Sequence, residues 1–284
     1  MVGGCLLVLI PLCIIGGISV VKSTNAMLHI GHENLKEQAH EMAELVETNL
    51  ELQTEMAALF ATGEHIIKVL ETVKKEGIEH SQEDIASLRR EFKKAFKTLD
   101  KHFQGIFVTD AAGMALTGEL ANGNEYKGFS VEDRDYFQKA RKTGRAVAGD
   151  MVRSKKTKEL IYVVCSPVVN EKNEFLGIFG MSVKAHFLVD IVSGTRYGET
   201  GYGWMINSKG IVISHPKEET ILSLDTTTLS DMKDIITHML DDGHGVEDYV
   251  FKGEHKIAGY AHIPAQNWSL AITQDEEEFL SVSR

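Results

Sequence analysis

Residues 107–116, FVTDAAGMAL, and residues 204–213, WMINSKGIVI, share one pattern: an apolar run, an Asp or Asn (Asp110, Asn207), two turn residues, a glycine (Gly113, Gly210) and a second apolar run. Each reads as a β-hairpin. The Asp or Asn side chain bonds backbone groups two residues on, and glycine accepts the left-handed conformation of the turn. Both hairpins continue through a polar or helical stretch into further strand-like segments, which end at residues 177–183 in the first half and 267–273 in the second. Two copies of one α/β module are the economical explanation. A single large sheet with two coincidental hairpins is the alternative, because Asn, Asp and Gly are common in the turns of any β protein.

Helices precede the first hairpin. From Leu28 the apolar residues fall on a seven-residue grid, with Leu28, Leu35, Met42, Met56 and Leu70 in one position. Leu45, Leu52, Leu59, Ile66 and Val73 lie three further on, and the grid has gaps at Asn49 and Gly63. This is the seam of a long helix that packs on a partner helix, although packing on its own domain would produce the same stripe. Gly77 is expected to break the helix. Ser81 with Asp84 resembles a capping box opening a second helix, whose stripe is Ile85, Leu88, Phe92, Phe96 and Leu99.

Residues 2–21 contain no charge and end at Lys22. As a helix, such a run spans the ~30 Å hydrocarbon core of a bilayer. It is longer than the ~7–15 residues usual in a signal peptide and has no small-residue cleavage site, so an uncleaved membrane anchor is expected. With only Lys22 to count, the positive-inside rule does not orient it. The chain as a whole is 43% hydrophobic and 25% charged, with a net charge of −11. That acidity argues against nucleic acid and against a polybasic lipid-binding face. Cys5 and Cys13 lie in the apolar span and Cys165 in a strand-like run, so the remainder holds no pair for a disulfide framework.

Residues 133–183 suggest a binding wall. Arg134, Tyr136 and Phe137 open an amphipathic helix, and two strand-like runs follow at residues 160–169 and 175–183. An arginine and aromatics against a sheet can hold a small anion. Arg134 paired with Asp133, Asp135 or Asp150 to fix the helix start is the structural alternative. Tyr136 and Phe137 are equally suited to the core, since an amphipathic helix buries one face in any case, and Ser154 could simply stabilise the turn before Thr157.

The segments Asp133-Arg134-Asp135-Tyr136-Phe137, Cys165-Ser166-Pro167-Val168, Leu176-Gly177-Ile178-Phe179-Gly180, and Gly201-Tyr202-Gly203-Trp204 leading to Ser214-His215-Pro216 occur in this order. In them the chain resembles the double Cache sensor domain of bacterial chemoreceptors and related transmembrane sensor kinases. The resemblance implies an α+β fold, a long N-terminal helix followed by two tandem PAS-like (Cache) modules with antiparallel sheets. It divides the chain into an anchor (1–22), a stalk helix and second helix (23–103), a membrane-distal module with the ligand pocket (104–194), a membrane-proximal module (195–274) and the start of a C-terminal helix (275–284) that leads toward a missing second span.

The same resemblance implies a sensor region outside the bacterial inner membrane, a homodimer through the long helix and a small-molecule ligand. Its amino-acid-binding branch holds the ligand carboxylate with an arginine and aromatics, and the ammonium with a tyrosine and two aspartates. This sequence keeps Arg134, has Tyr136 where a tryptophan is usual, keeps an aromatic at Phe137 and places Phe129 upstream. On the ammonium side Val152 replaces the tyrosine, and Ser154 and Ser182 replace the aspartates. An ammonium facing only hydroxyls in a desolvated pocket would cost about 2–5 kcal/mol. An anion or organic carboxylate without a primary amine is therefore expected, with Asp150, Met151 and Tyr162 as further lining.

Catalytic, metal and cofactor sites are not expected. His29 and His32 are at helical spacing but have no third ligand nearby. His215-Pro216 reads as the end of a hairpin strand, and the glycines between Gly194 and Gly203 match neither a dinucleotide nor a phosphate-loop motif. Besides a chemoreceptor sensor, a kinase or cyclase ectodomain, a docking module for a periplasmic binding protein and an anchored hydrolase are the rival readings.

Overall fold

The computed structural model describes residues 2–241 and 243–281, with side chains from Ala26 onward. The apolar run at residues 2–21 lies outside the residues whose side chains are described. Among the described residues, no helix is long and apolar enough to cross a membrane.

The helical part comprises α1 (Val2–Ala61), α2 (Glu64–Glu76) and α3 (Gln82–Phe96). The break expected at Gly77 is present, but an earlier one occurs at Thr62 and Gly63, where the grid has its second gap. Thr62 Oγ1 donates to Leu59 O at 2.8 Å, and Gly63 is extended (φ −61°, ψ 122°). The capping box at Ser81 does not form. Its hydroxyl donates back to Gly77 O at 2.8 Å, within a short 3₁₀ turn, and so leaves the N-terminus of α3 uncapped by a side chain. Serine hydroxyls compete for nearby carbonyls in this way.

The first sheet contains β1 (Phe103–Thr109), β2 (Ala115–Leu120), β3 (Val147–Ala148), β4 (Val152–Arg153), β5 (Leu160–Val169) and β6 (Phe175–Lys184), with α4 (Asp135–Thr143) on one face. Its order is β2-β1-β6-β5-β3, with β4 also on β5, and every pairing is antiparallel. After α5 (His186–Ser193), the second sheet repeats the plan with β7 (Arg196–Tyr197), β8 (Gly201–Ile206), β9 (Val212–Ser214), α6 (Lys233–Leu240), β10 (Gly245–Phe251), β11 (Glu254–Ile263) and β12 (Trp268–Asp275). Its order is β10-β11-β12-β8-β7, with β9 on β8. The central run β2-β1-β6-β5 thus corresponds to β9-β8-β12-β11, and the single-sheet alternative is excluded.

Both hairpins turn by the same device. Asp110 Oδ1 accepts from Ala112 N and Met114 N at 3.0 and 2.8 Å, and Asn207 Oδ1 accepts from Lys209 N and Ile211 N at 3.0 Å each. Gly113 and Gly210 sit at φ +84° and +76°, where a side chain would be strained.

Each sheet has two covered faces. Helix α1 lies along one face of both, presenting Leu35, Ala39, Ala43, Val46, Leu50, Ala57 and Ala61 to a continuous core with α2 and α3. The approach is closest at Gly259 on β11, where a Cβ would lie 2.1 Å from Leu35 O. In the first sheet, Phe179 stacks on Phe60 of α1 and meets the edge of Phe92 of α3, with centroids 5.1 and 5.7 Å apart. The terminal helix α7 (Glu276–Ser281) returns to α1, seating the Phe279 ring where Gly31 lacks a side chain.

Against this frame the seven-residue grid divides. Leu35, Ile66, Leu70 and Val73 are buried within the chain, whereas Leu45, Leu52 and Leu59 are 47%, 58% and 74% exposed. One half of the stripe packs on its own sheets and the other half faces outward.

Candidate ligand site in the first module

The alternation of β5 and β6 decides which side chains meet. Ile161, Val163, Cys165 and Ile178 point to one face and pack with α4, while Tyr162, Val164, Phe179, Met181 and Val183 point to the stalk helices. Ser182 pairs with Val163 on β5 and with Gly105 on β1, so it stands on the α4 face. This face also receives Phe107, Tyr126, Phe129, Val131, Tyr136, Phe137, Ala140 and Val152.

Helix α4 begins in sequence with its apolar pair inward. Tyr136 and Phe137 are fully buried, and the Tyr136 ring occupies space left by Gly149, whose Cβ would be 2.7 Å from Tyr136 Cδ1. Burial pushes the Tyr136 phenol up, so it is neutral. Gly144 ends the helix in the left-handed conformation, its N–H bonded to Ala140 O.

Arg134 immediately precedes α4 and is half-buried. Its Nη2 donates to Arg153 O at 3.0 Å, which ties the helix start to β4. The ion pair between Lys155 and Asp133 ties the same two segments, and it holds the Asp133 carboxyl below its ordinary range. Among the described residues Arg134 forms no carboxylate pair, Asp133 pairing with Lys155, Asp135 with Lys139 at 3.1 Å and Asp150 bonding Trp268, so it fixes the helix start through the Arg153 carbonyl instead.

Ser154 follows β4 and is buried. Its Oγ accepts from Lys156 N at 3.3 Å and Thr157 N at 3.1 Å, so it does stabilise the turn. It also faces the Tyr126 hydroxyl at 3.5 Å, and the same hydroxyl lies 3.2 Å from Ser182 Oγ. The two serines, 28 residues apart in the chain, therefore converge on one point. Tyr126, which sequence reading does not single out, is the residue that joins them. Its segment is otherwise exposed and carries no periodic signal, so only the fold could place it.

Three expected lining residues depart from that role. Tyr162 is on the opposite face, where its hydroxyl donates to Gln53 Oε1 of α1 at 2.8 Å, because β5 alternates with Val163 toward α4. Met151 is buried with the stalk-side core. Asp150 joins the two sheets instead, its Oδ1 accepting the Trp268 indole N–H at 2.8 Å. Arg134, Phe129, Tyr136, Phe137, Val152, Ser154 and Ser182 remain around the α4 face.

In the second module, a small apolar hollow is lined by Tyr202, Trp204, His215, Met232, Tyr249 and Phe251. His215 follows β9, accepts from Lys217 N through Nδ1 at 2.9 Å and packs edge-on to Tyr202. Burial, followed by the Lys217 charge, brings its imidazole down to about 4. Among the described residues, no group of His, Cys, Asp and Glu is placed to hold a metal ion.

Comparison with known proteins agrees with this architecture. A Cache domain family profile, of the double type, matches residues 29–283. The ligand-binding domain of Mlp24 with asparagine superposes with a TM-score of 0.63 at 15% identity, covering 93% of this chain and 99% of that one. The ligand-binding domain of the Pseudomonas aeruginosa PAO1 amino acid chemoreceptor PctB with L-Arg gives 0.57 at 17% identity, covering 87% and 97%. Among curated sequences, methyl-accepting chemotaxis protein McpA of Pseudomonas putida is 23% identical over 124 residues, 42% of this chain and 18% of that protein. The chain spans less than a fifth of the length of the curated relatives it matches. With a long helix, two repeated antiparallel sheets and a family match along most of its length, the chain belongs to the Cache domain family as a double Cache domain.

Proposed function

We propose that this chain is the extracytoplasmic sensor of a transmembrane chemoreceptor, and that its membrane-distal first module binds a small organic carboxylate lacking a primary amine. One observation supports the ligand reading: the hydroxyls of Ser154, Ser182 and Tyr126 converge on the α4 face next to Arg153, to which Arg134 is bonded, while the nearby carboxylates are engaged, Asp133 by Lys155, Asp135 by Lys139 and Asp150 by Trp268. A guanidinium complements a carboxylate, and hydroxyls alone do not compensate an ammonium. The named relatives supply the receptor class, and their bound asparagine and L-Arg are properties of those proteins.

Signalling would run through α1 and α7, which pack together at Gly31 and Phe279, toward the membrane anchor at residues 1–22. The exposed line of Leu45, Leu52 and Leu59 is the surface on which a second copy would pack its own stalk. No catalytic role is assigned to any residue.

Thermal unfolding of the full chain with a panel of carboxylates and α-amino acids tests the ligand reading, since a ligand that binds only the folded state raises its stability by RT ln(1 + [L]/Kd). Carboxylates without amines are expected to raise Tm in the wild type and to lose that effect in Arg134→Ala. A shift by amino acids alone, or one unaffected by Arg134→Ala, would refute it.

A further inference from the structure

Two cavities lie side by side on the first module, with Glu159 and Lys184 as common walls. One, of about 410 Å³, runs between the end of β2 and the turn after β4, where Asn122, Asn124, Lys156 and Thr157 line it. The other, of about 390 Å³, continues past Arg153 to His186 on α5 and Glu218 of the second module. Together they form one groove, each half of which falls within the about 300–1,000 Å³ usual for a small-molecule site. None of Tyr126, Arg134, Ser154 and Ser182 lines it, so the groove is separate from the α4 face.

The groove is cationic in a chain whose net charge is −11. Arg153 and Lys156 are exposed, Lys184 is half-buried, and among the described residues none of the three has a carboxylate partner. Arg153 Nη1 reaches the Lys158 carbonyl at 3.5 Å. Lys184 Nζ donates to Lys101 O at 3.0 Å, which holds an ammonium where the two halves meet. The acids in the walls are engaged, Glu159 by Gln104 Nε2 and Glu218 by His186 at 3.7 Å.

Neutral side chains add further donors. Asn122 Oδ1 accepts from Asn124 N at 3.0 Å and Thr157 Oγ1 from Glu159 N at 3.4 Å, so their amide and hydroxyl protons are left for an outside acceptor. No Phe, Tyr or Trp lines either half, which leaves a nucleic-acid base without a stacking platform. Cations interspersed with neutral donors match a ligand whose carboxylates are interspersed with hydroxyls.

We infer that this groove binds an anionic sugar chain, an oligouronate, along its length. The ligand carboxylates meet Lys156, Lys184 and Arg153, and the ring hydroxyls meet Asn122 and Thr157. The inference does not rest on the ligand proposed for the α4 face.

Calorimetric titration of the full-length protein with trigalacturonate, maltotriose and triglutamate tests it. Trigalacturonate is expected to bind with an affinity that falls as salt rises, and the uncharged maltotriose and the hydroxyl-free triglutamate to bind far more weakly. Lys156 and Arg153 stand in different halves, so Lys156→Glu and Arg153→Glu should each weaken trigalacturonate about tenfold. Lys156→Gln and Arg153→Gln remove the charge without reversing it and serve if a glutamate variant unfolds, with a severalfold loss expected. Ser182→Ala, on the α4 face, should leave the affinity unchanged. No binding of trigalacturonate, binding insensitive to either Lys156 or Arg153, or binding lost in Ser182→Ala would overturn the inference. Triglutamate or maltotriose binding as tightly as trigalacturonate would overturn the assignment to a sugar acid.

Discussion

The Trp268 indole N–H donates to Asp150 Oδ1 at 2.8 Å, a bond that joins the start of β12 in the second sheet to the loop before β4 in the first. Asp150 is in turn held by its own N–H, which donates to Asp135 Oδ2 at 3.1 Å, and Asp135 follows Arg134 at the start of α4. β12 leads directly into α7, which packs on the stalk. The α4 face is thus joined to α7 by a short covalent and hydrogen-bonded route.

Trp268→Phe removes the donor and leaves a partly buried carboxylate without it. The expected cost is about 1.5–3 kcal/mol, the usual range for a hydrogen bond to a charged group. Asp150→Asn keeps an acceptor and is expected to cost less than half as much. Urea denaturation of the three proteins measures this, and equal stability would show that the bond contributes nothing.

Tyr162→Phe tests the face assignment. It deprives Gln53 Oε1 of its donor in the stalk-side core, with an expected loss of about 1–2 kcal/mol. Ligand-induced shifts at the α4 face should remain as in wild type. If they vanish while stability is unchanged, Tyr162 belongs to the site.

His215 predicts a pH dependence. Its imidazole is depressed to about 4 from the ordinary 6.5, so the unfolded chain binds more protons between these values. The contribution of His215 is complete above about pH 6.5 and is lost as pH falls toward 4. Solvent contact limits it to the order of 1–2 kcal/mol. His215→Gln should unfold with a flatter pH profile from 4.5 to 7, and a slope identical to wild type would contradict the burial account.

Leu52 is 58% exposed at the centre of the outward stripe of α1. Leu52→Asp should therefore change the stability of the single chain by less than about 0.5 kcal/mol, while on the proposed stalk dimer it should abolish association of chains in lipid nanodiscs. Cross-linking between stalks distinguishes the variant from wild type, and persistent dimers would place the partner contact elsewhere.

Residue order determined the elements with local causes. Asp110 with Gly113 and Asn207 with Gly210 each form a turn within five residues, so the hairpins and the repeat were legible. The alternating runs of β5 and β6 and the amphipathic start of α4 were equally so. Tertiary structure decided whatever depended on register or on competition between partners. The pairing of Ser182 with Val163 and Gly105 set which residues face α4, and thereby moved Tyr162 to the stalk. Asp150 read as ligand lining until Trp268, 118 residues away, claimed its carboxylate. Tyr126 carried no signal because its neighbours in sequence are exposed, and its burial comes from Gly105, Phe107 and two distant serines. Local hydrogen bonds and periodicity are encoded within a few residues, whereas the choice of face and partner arises only when strands far apart in the chain are brought side by side.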